Sequence, residues 1–198
     1  MSARSSPPFR ADQVGSLIRP QELVAARAAA SRNEIPPDAL REVQEAAIRD
    51  VVRMQGEIGL KSVTDGEFNR GTWQTDFLVK FENVKPIASK FTVRFHNEKG
   101  ESQGKPHTMQ VAGKLSRPRG IFVDDFRFLK SVAKQTAKIT MPSPSVLHFR
   151  GGREAIDTRA YPDLADFYRD LARVYQEEIA DLAAAGCRYL QLDEVNFA

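Results

Sequence analysis

Four short strand-like runs in this chain each end in polar residues, and stretches of helical periodicity separate them. The runs are residues 11–16, closing on Gly15-Ser16; 60–64, followed by Asp65-Gly66-Glu67; 138–141, followed by Pro142-Ser143-Pro144; and 189–192, followed by Asp193-Glu194. Between the first and second runs, Pro20 opens an Ala-rich helix through Ser31, and Pro36 and Pro37 open another. In the latter, Leu40, Val43, Ala47, Val51, Met54 and Ile58 recur every three or four residues as one apolar stripe, and Gly59 sits where a left-handed C-terminal residue belongs. Asp124 or Asp125 caps a shorter helix that carries Phe126, Leu129, Val132 and Ala133. A long helix over 163–185 turns Leu164, Phe167, Leu171, Val174, Ile179 and Leu182 inward and stops at Gly186. Parallel strands need a crossover of a dozen or more residues, usually a helix, so this alternation predicts an α/β fold with a parallel sheet.

In such sheets ligands bind beyond the carboxyl ends of the strands, because the loops that follow the strands gather there. Ser16, Asp65, Glu67, Ser143, Asp193 and Glu194 all occupy that edge. Any one of them alone could cap a helix or solvate a loop; four strands ending alike predict a shared site. Carboxylates without a cationic cluster suit an ammonium group, a polar heterocycle or a proton relay, and do not suit a phosphate. A small amino acid fits, with Glu67 and Asp193 facing its ammonium and the backbone near Ser16 facing its carboxylate. The remaining segment breaks the alternation. Phe91, Val93 and Phe95 alternate with polar residues, 100–104 reads as a turn and 108–112 as a returning strand, which predicts a β-hairpin inserted at about 90–113.

Composition excludes several classes. The chain has 198 residues, 41% hydrophobic and 28% charged, and no apolar window approaches the ~20 residues of a membrane span. Its net charge is +3, but 29 basic and 26 acidic residues interleave, and the densest basic stretch, Lys114, Arg117 and Arg119, is broken by Pro118. That is a solvated surface, not a nucleic-acid footprint. Residues 1–9 lack an apolar core and read as a flexible leader. A single cysteine, Cys187, allows no internal disulfide, fits a reducing cytoplasm and reads as a small core residue. His96, His107 and His148 are scattered, so nothing here predicts a metal bound by this chain alone.

At the level of motifs the chain resembles a known family. Residues 10–17, Arg-Ala-Asp-Gln-Val-Gly-Ser-Leu, are similar to the first strand of the C-terminal barrel of cobalamin-independent methionine synthases. Val63-Thr64-Asp65-Gly66-Glu67-Phe68-Asn69-Arg70 resembles the family's His-Gly-Glu loop. Met141-Pro142-Ser143-Pro144 is similar to its third strand end, and Tyr189-Leu190-Gln191-Leu192-Asp193-Glu194 to its fourth, with Val195 replacing the usual proline. The short, single-barrel branch is the nearest in pattern, and the resemblance spans residues 10–198. It implies a (β/α)₈ barrel of TIM type, of which this chain is an incomplete, N-terminal half.

The resemblance also implies chemistry. Zinc holds homocysteine as a thiolate, which takes a methyl group from a folate of the 5-methyltetrahydropteroyltri-L-glutamate type to give methionine. Ser16, Glu67 and Asp193 match the homocysteine-contacting positions, and Trp73 and Ser143 lie where a methyl donor could pack; no catalytic residue is assigned. The family's zinc ligands all lie beyond the Leu-Asp-Glu strand, whereas this chain ends five residues after Asp193. The chain alone is therefore expected to bind no zinc and to be inactive. The alternatives are a related thiol alkyltransferase, a uroporphyrinogen decarboxylase-like barrel, or a non-catalytic truncated fragment. The decarboxylase reading needs arginines at the strand ends, where only Arg19, Arg70 and Arg150 lie close. Four strands cannot close an eight-stranded barrel. Self-association through open sheet edges near Val14 and Leu190 is thus expected, with Val63, Ile139, Leu190 and Leu192 facing a half-empty interior.

Overall fold

The computed structural model describes residues 4–88, 92–97, 100–104 and 107–195. They fall into two compact units. The first comprises Met1–Gly71, Phe122–Met141 and Ala180–Leu192; the second comprises Thr72–Ile121, Pro142–Ile179 and Asp193–Ala198.

The first unit contains the parallel strands. Helices α1 (Gln21–Ser31) and α2 (Pro37–Glu57) precede β1 (Ser62–Val63). Ser16 bridges Gly66 in parallel, which places the segment before Ser16 beside the β1 strand. After the second unit's excursion come α4 (Val123–Val132), β6 (Thr136–Ala137) and β7 (Ile139–Pro142). β6 pairs with β1 in parallel, and the Lys138 amide donates to the Val63 carbonyl at 2.9 Å, so β6 and β7 form one strand interrupted only at Lys138. β7 pairs with β8 (Leu190–Asp193). The Ile139 amide meets the Tyr189 carbonyl and the Ser143 amide meets that of Asp193, a forward step on both strands that marks a parallel ladder.

One face of these strands packs on helices. Leu23 of α1, Ile48, Val51 and Val52 of α2, Val63, Phe68 and Leu129 of α4 form a single buried cluster. Val63 and Ile139 are fully buried, which corrects the expectation that they face a half-empty interior. Strand alternation explains the correction: Val63 points at the helices, so its neighbours Ser62 and Thr64 take the opposite face. Leu192, by contrast, is 45% exposed. The α2 stripe also ends earlier than its spacing suggests. Ile48, Val51, Val52 and Gln55 are buried, whereas Met54 and Ile58 are 41% and 67% exposed. The fully buried Gln55 does the work expected of an apolar residue by bonding both the amide and the carbonyl of Thr64.

On the opposite face a polar network replaces an apolar core. Asp12 accepts from Ser62 Oγ at 2.8 Å, from Lys138 Nζ at 3.1 Å and from the Tyr189 hydroxyl, so one carboxylate ties together segments of all four strands. Lys138 also donates to the Gln13 carbonyl and lies 5.2 Å from the Tyr189 ring centroid. Burial pushes the Asp12 carboxyl up, but the hydrogen bonds from Tyr189, Ser62, Lys138 and the Gln13 amide outweigh it and leave the pKa below its ordinary value.

In the second unit, α3 (Thr75–Leu78) leads into β2 (Glu82–Ala88), which pairs antiparallel with β5 (His107–Ser116); β3 (Val93–Asn97) pairs with β4 (Gly100–Gly104). The returning strand at 108–112 therefore has β2 as its partner rather than 91–95, and 100–104 is a strand rather than a turn. Phe91 lies outside the described residues. β2 escaped notice because Pro86 and five other exposed or half-exposed residues hide its pattern; proline is tolerated on an edge strand. The first part of α5 (Leu164–Ala184) buries Phe167, Leu171, Val174 and Tyr175 with Phe77, Phe81, Val111, Leu115 and Tyr161 of this unit. Ile179, expected to point inward, is exposed. The inward place is taken by Glu178, which accepts from Arg117 Nη1 and the Ile121 amide, both at 2.9 Å.

Candidate functional site

The loop after β1 is built to hold one carboxylate. Gly66 (φ +66) and Glu67 (φ +60) both adopt left-handed backbone, which a non-glycine residue seldom enters and which costs of order 1–3 kcal/mol unless the surroundings enforce it. Here they do. Asp65 Oδ1 accepts from the Glu67 amide at 2.9 Å, and Arg19 donates to the carbonyls of Glu67 and Arg70. The Leu17 amide donates to the Gly66 carbonyl at 3.1 Å, so the Gly15-Ser16 turn lies against the same loop. A Cβ on Gly15 (φ +117) would stand 2.5 Å from Thr140 Cγ2 and 3.2 Å from Glu67 Oε1, and only glycine fits there.

The Glu67 side chain is buried and anchored on one oxygen. Thr140 Oγ1 donates to Oε1 at 2.8 Å, and Arg70 Nη1 lies 3.7 Å from that same oxygen. Oε2 takes no hydrogen bond among the described residues. Arg70 is itself fully buried. It donates to Thr140 Oγ1 at 3.1 Å and to the Thr140 carbonyl at 2.7 Å, and its guanidinium lies 4.1 Å from the centroid of the Phe122 ring. Behind the loop, Asp65 Oδ2 is buried without a partner. Burial, reinforced by the negative charge of Asp65, pushes the Asp125 carboxyl up to about 6, while Asn69 donates to its Oδ1 at 2.8 Å. Asp125 thus serves the loop from the first turn of α4. The helix is capped at Phe122 rather than at an aspartate, and no side chain bonds the cap.

The second unit contains a polar cluster at the ends of β7 and β8. The Ser143 amide donates to the Asp193 carbonyl at 3.0 Å. Ser143 Oγ donates to Glu194 Oε2 at 2.7 Å, and Ser145 Oγ meets the same oxygen. The Tyr175 hydroxyl donates to the Ser143 carbonyl at 3.2 Å, and burial raises its pKa well above the ordinary range. Trp73 is half-buried in the turn before α3.

Of the five residues singled out from sequence, the structure brings Ser16, which is exposed, to the loop of Glu67, and Ser143 to Asp193. Thr140 and Arg70 went unassigned. A polar residue alternating with Ile139 and Met141 in a strand is the signal that could have found Thr140. Arg19 and Arg70 spend donors on backbone carbonyls, which weighs against strand-end arginines gripping a polycarboxylate. Among the described residues no group of three His, Cys, Asp or Glu converges as a zinc site requires. Cys187 is buried, its thiol pushed up by that burial and turned to the Tyr189 carbonyl at 3.5 Å.

Comparison with known proteins places this geometry. The family model described as the catalytic domain of cobalamin-independent synthase matches residues 9–198. The uncharacterized protein YxjH of Bacillus subtilis (strain 168) is 38% identical over 192 residues, 96% of this chain and 49% of that protein. The chain spans about half the length of the curated relatives it matches. A crystal structure described as a putative vitamin-B12 independent methionine synthase from Listeria monocytogenes superimposes with a TM-score of 0.78 at 34% identity, covering 98% of this chain and 54% of that one. A B12-independent methionine synthase from Shewanella sp. W3-18-1, solved in complex with selenomethionine, shares the fold with a TM-score of 0.61 at 23% identity, over 83% of this chain and 45% of that one.

Proposed function

The chain belongs to the cobalamin-independent synthase catalytic-domain family, and from that premise we propose that it is the amino-acid-binding part of a methyltransferase that passes a methyl group from a methylated folate to the thiol of homocysteine. The observation that carries the reading is Glu67, a buried carboxylate held in left-handed backbone with one oxygen anchored and the other taking no hydrogen bond among the described residues. Such an oxygen suits an ammonium group, because a buried charge needs a charged or hydrogen-bonding partner. The backbone at Ser16 then faces the substrate carboxylate, and Asp193 serves as a second acceptor for the ammonium. Trp73 and Ser143 line the methyl-donor side. The selenomethionine bound by the Shewanella relative is a product-like amino acid and supports this substrate class.

In architecture we propose the N-terminal half of a (β/α)₈ barrel, a leader over 1–9 and a hairpin insertion in the region 90–113. Four parallel strand segments in order and relatives of about twice the length support it. Val14, 68% exposed, and Leu192 lie at the outer strands and supply a surface for self-association or for the remaining half of a barrel. The family uses zinc to make the thiolate, but the described residues do not form that site, and no step of this reading passes through a metal held by them. No helix among the described residues is long and apolar enough to cross a membrane. The single cysteine supports a cytoplasmic location.

The test is methyl transfer from a methylated folate to homocysteine in the presence of zinc. It is measured for this chain alone and for the chain supplied with the C-terminal half of a relative. The expected result is turnover only in the second case, abolished by Glu67→Ala. Turnover indifferent to Glu67, or none with either preparation, would sink the proposal.

A further inference from the structure

We propose that Arg70 and Thr140 are positioning residues that aim Glu67 at the substrate ammonium; the inference rests on the reading of Glu67 just given. It follows from counting donors and acceptors. A guanidinium can only donate. Arg70 Nη1 donates to Thr140 Oγ1 at 3.1 Å, so the hydroxyl accepts there and must send its own proton elsewhere. The partner in reach is Glu67 Oε1 at 2.8 Å. The second Arg70 nitrogen, bonded to the Thr140 carbonyl at 2.7 Å, prevents the guanidinium from turning away, and the Phe122 ring closes its far side at 4.1 Å. The proton direction of one hydroxyl is thereby fixed, and with it the oxygen of Glu67 that is already occupied. Oε2 is left as the acceptor for a cation.

Gly15 completes the device. A Cβ there would stand 2.5 Å from Thr140 Cγ2 and 3.2 Å from its Oγ1, so the absence of a side chain is what leaves Thr140 room to keep the position from which its hydroxyl reaches Glu67. The result is specificity for an amino acid over its deaminated analogue: the carboxylate waits in place for an ammonium, and a hydroxyl in that position forfeits the charge-assisted bond.

The probes are L-methionine and its 2-hydroxy analogue, measured by calorimetry on the whole chain. Wild type is expected to prefer the amino compound by about tenfold, the equivalent of roughly 1.4 kcal/mol. Thr140→Val should cut that preference to about twofold while leaving affinity for the hydroxy analogue unchanged, and Thr140→Ser should restore it. A merely structural loss would weaken both compounds alike. Arg70→Lys, which keeps the charge and loses the two-point hold, should lower the preference by a smaller factor. A tenfold preference that survives Thr140→Val overturns the inference and leaves the reading of Glu67 standing. A wild-type chain that binds both compounds equally, or neither, overturns that reading and the inference with it. Crystals of Thr140→Val give a ligand-free check: the Glu67 carboxylate is expected to leave its position, and a carboxylate found unmoved overturns the inference.

Discussion

Replacing Asp12 by alanine is expected to be among the most damaging single changes in the chain. Its carboxylate is the counter-ion of Lys138, whose side chain is fully buried; the pair is 3.1 Å apart, and the Asp12 side chain is 21% exposed. Removing one partner of a buried ion pair costs about 3–5 kcal/mol, because the other charge stays behind unpaired. The partial exposure of Asp12 lets water enter, so the lower end, about 3 kcal/mol, applies. The Ser62 and Tyr189 hydroxyls lose their acceptor as well. Against a typical stability of about 5–15 kcal/mol, this lowers the melting temperature of a chain this size by roughly 6–12 °C. The assay is urea denaturation followed by circular dichroism. Asp12→Ala should move the midpoint sharply down, and Asp12→Ala with Lys138→Met should recover much of the loss, since no buried charge then lacks a partner. The depressed Asp12 pKa fixes the pH signature: its contribution is present above the unfolded value of about 3.9 and is lost as pH falls through the lower folded value. An unchanged midpoint in Asp12→Ala, or a double variant no better than the single, would refute the reasoning.

Asp125→Asn should stabilise the protein at pH 7. The folded pKa of Asp125 is raised to about 6, so its ionisation costs stability as pH rises between about 4 and 6; the gain, of order 1–3 kcal/mol, should vanish near pH 4 in paired melts. Gly15→Ala should destabilise by about 2 kcal/mol or more in urea titration and abolish amino-acid binding, given its φ of +117 and the Thr140 methyl 2.5 Å from the new Cβ. Ile48→Ala, in the heart of the helix-side cluster, should cost about 2–5 kcal/mol, whereas Met54→Lys on the same helix should stay within about 0.5 kcal/mol; equal effects would show that the burial of α2 is misassigned.

The readable and the hidden parts of this chain divide along a physical line. Helices α2 and α5 and the glycines that end them could be read because amphipathic spacing and left-handed C-terminal residues leave local marks; Gly59 and Gly186 do adopt φ of +89 and +94. The strand ends that carry Ser16, Glu67, Ser143 and Asp193 could be read because each follows a short strand-like run and opens a polar loop. What stayed hidden depends on which face of a strand meets which partner. Val63 is as apolar as any inward residue, and nothing in its sequence says that the helices, rather than the opposite face, receive it. The same ambiguity concealed Lys138 and Thr140. A lysine in a strand reads as an exposed residue until a carboxylate 126 positions earlier is found to bond it. Strand β4 was missed for the opposite reason: Gly100-Glu101-Ser102-Gln103-Gly104 holds no apolar side chain, and its pairing with β3 rests on the backbone ladder. Glu67 lies on both sides of the line. Its position after a strand could be read, whereas its orientation is set by Arg70 through a threonine hydroxyl 73 residues away, a relation that only the folded chain creates. On the proposed reading, the features that would choose a ligand are thus those least visible in sequence, since selectivity would then come from how a carboxylate is held rather than from its presence.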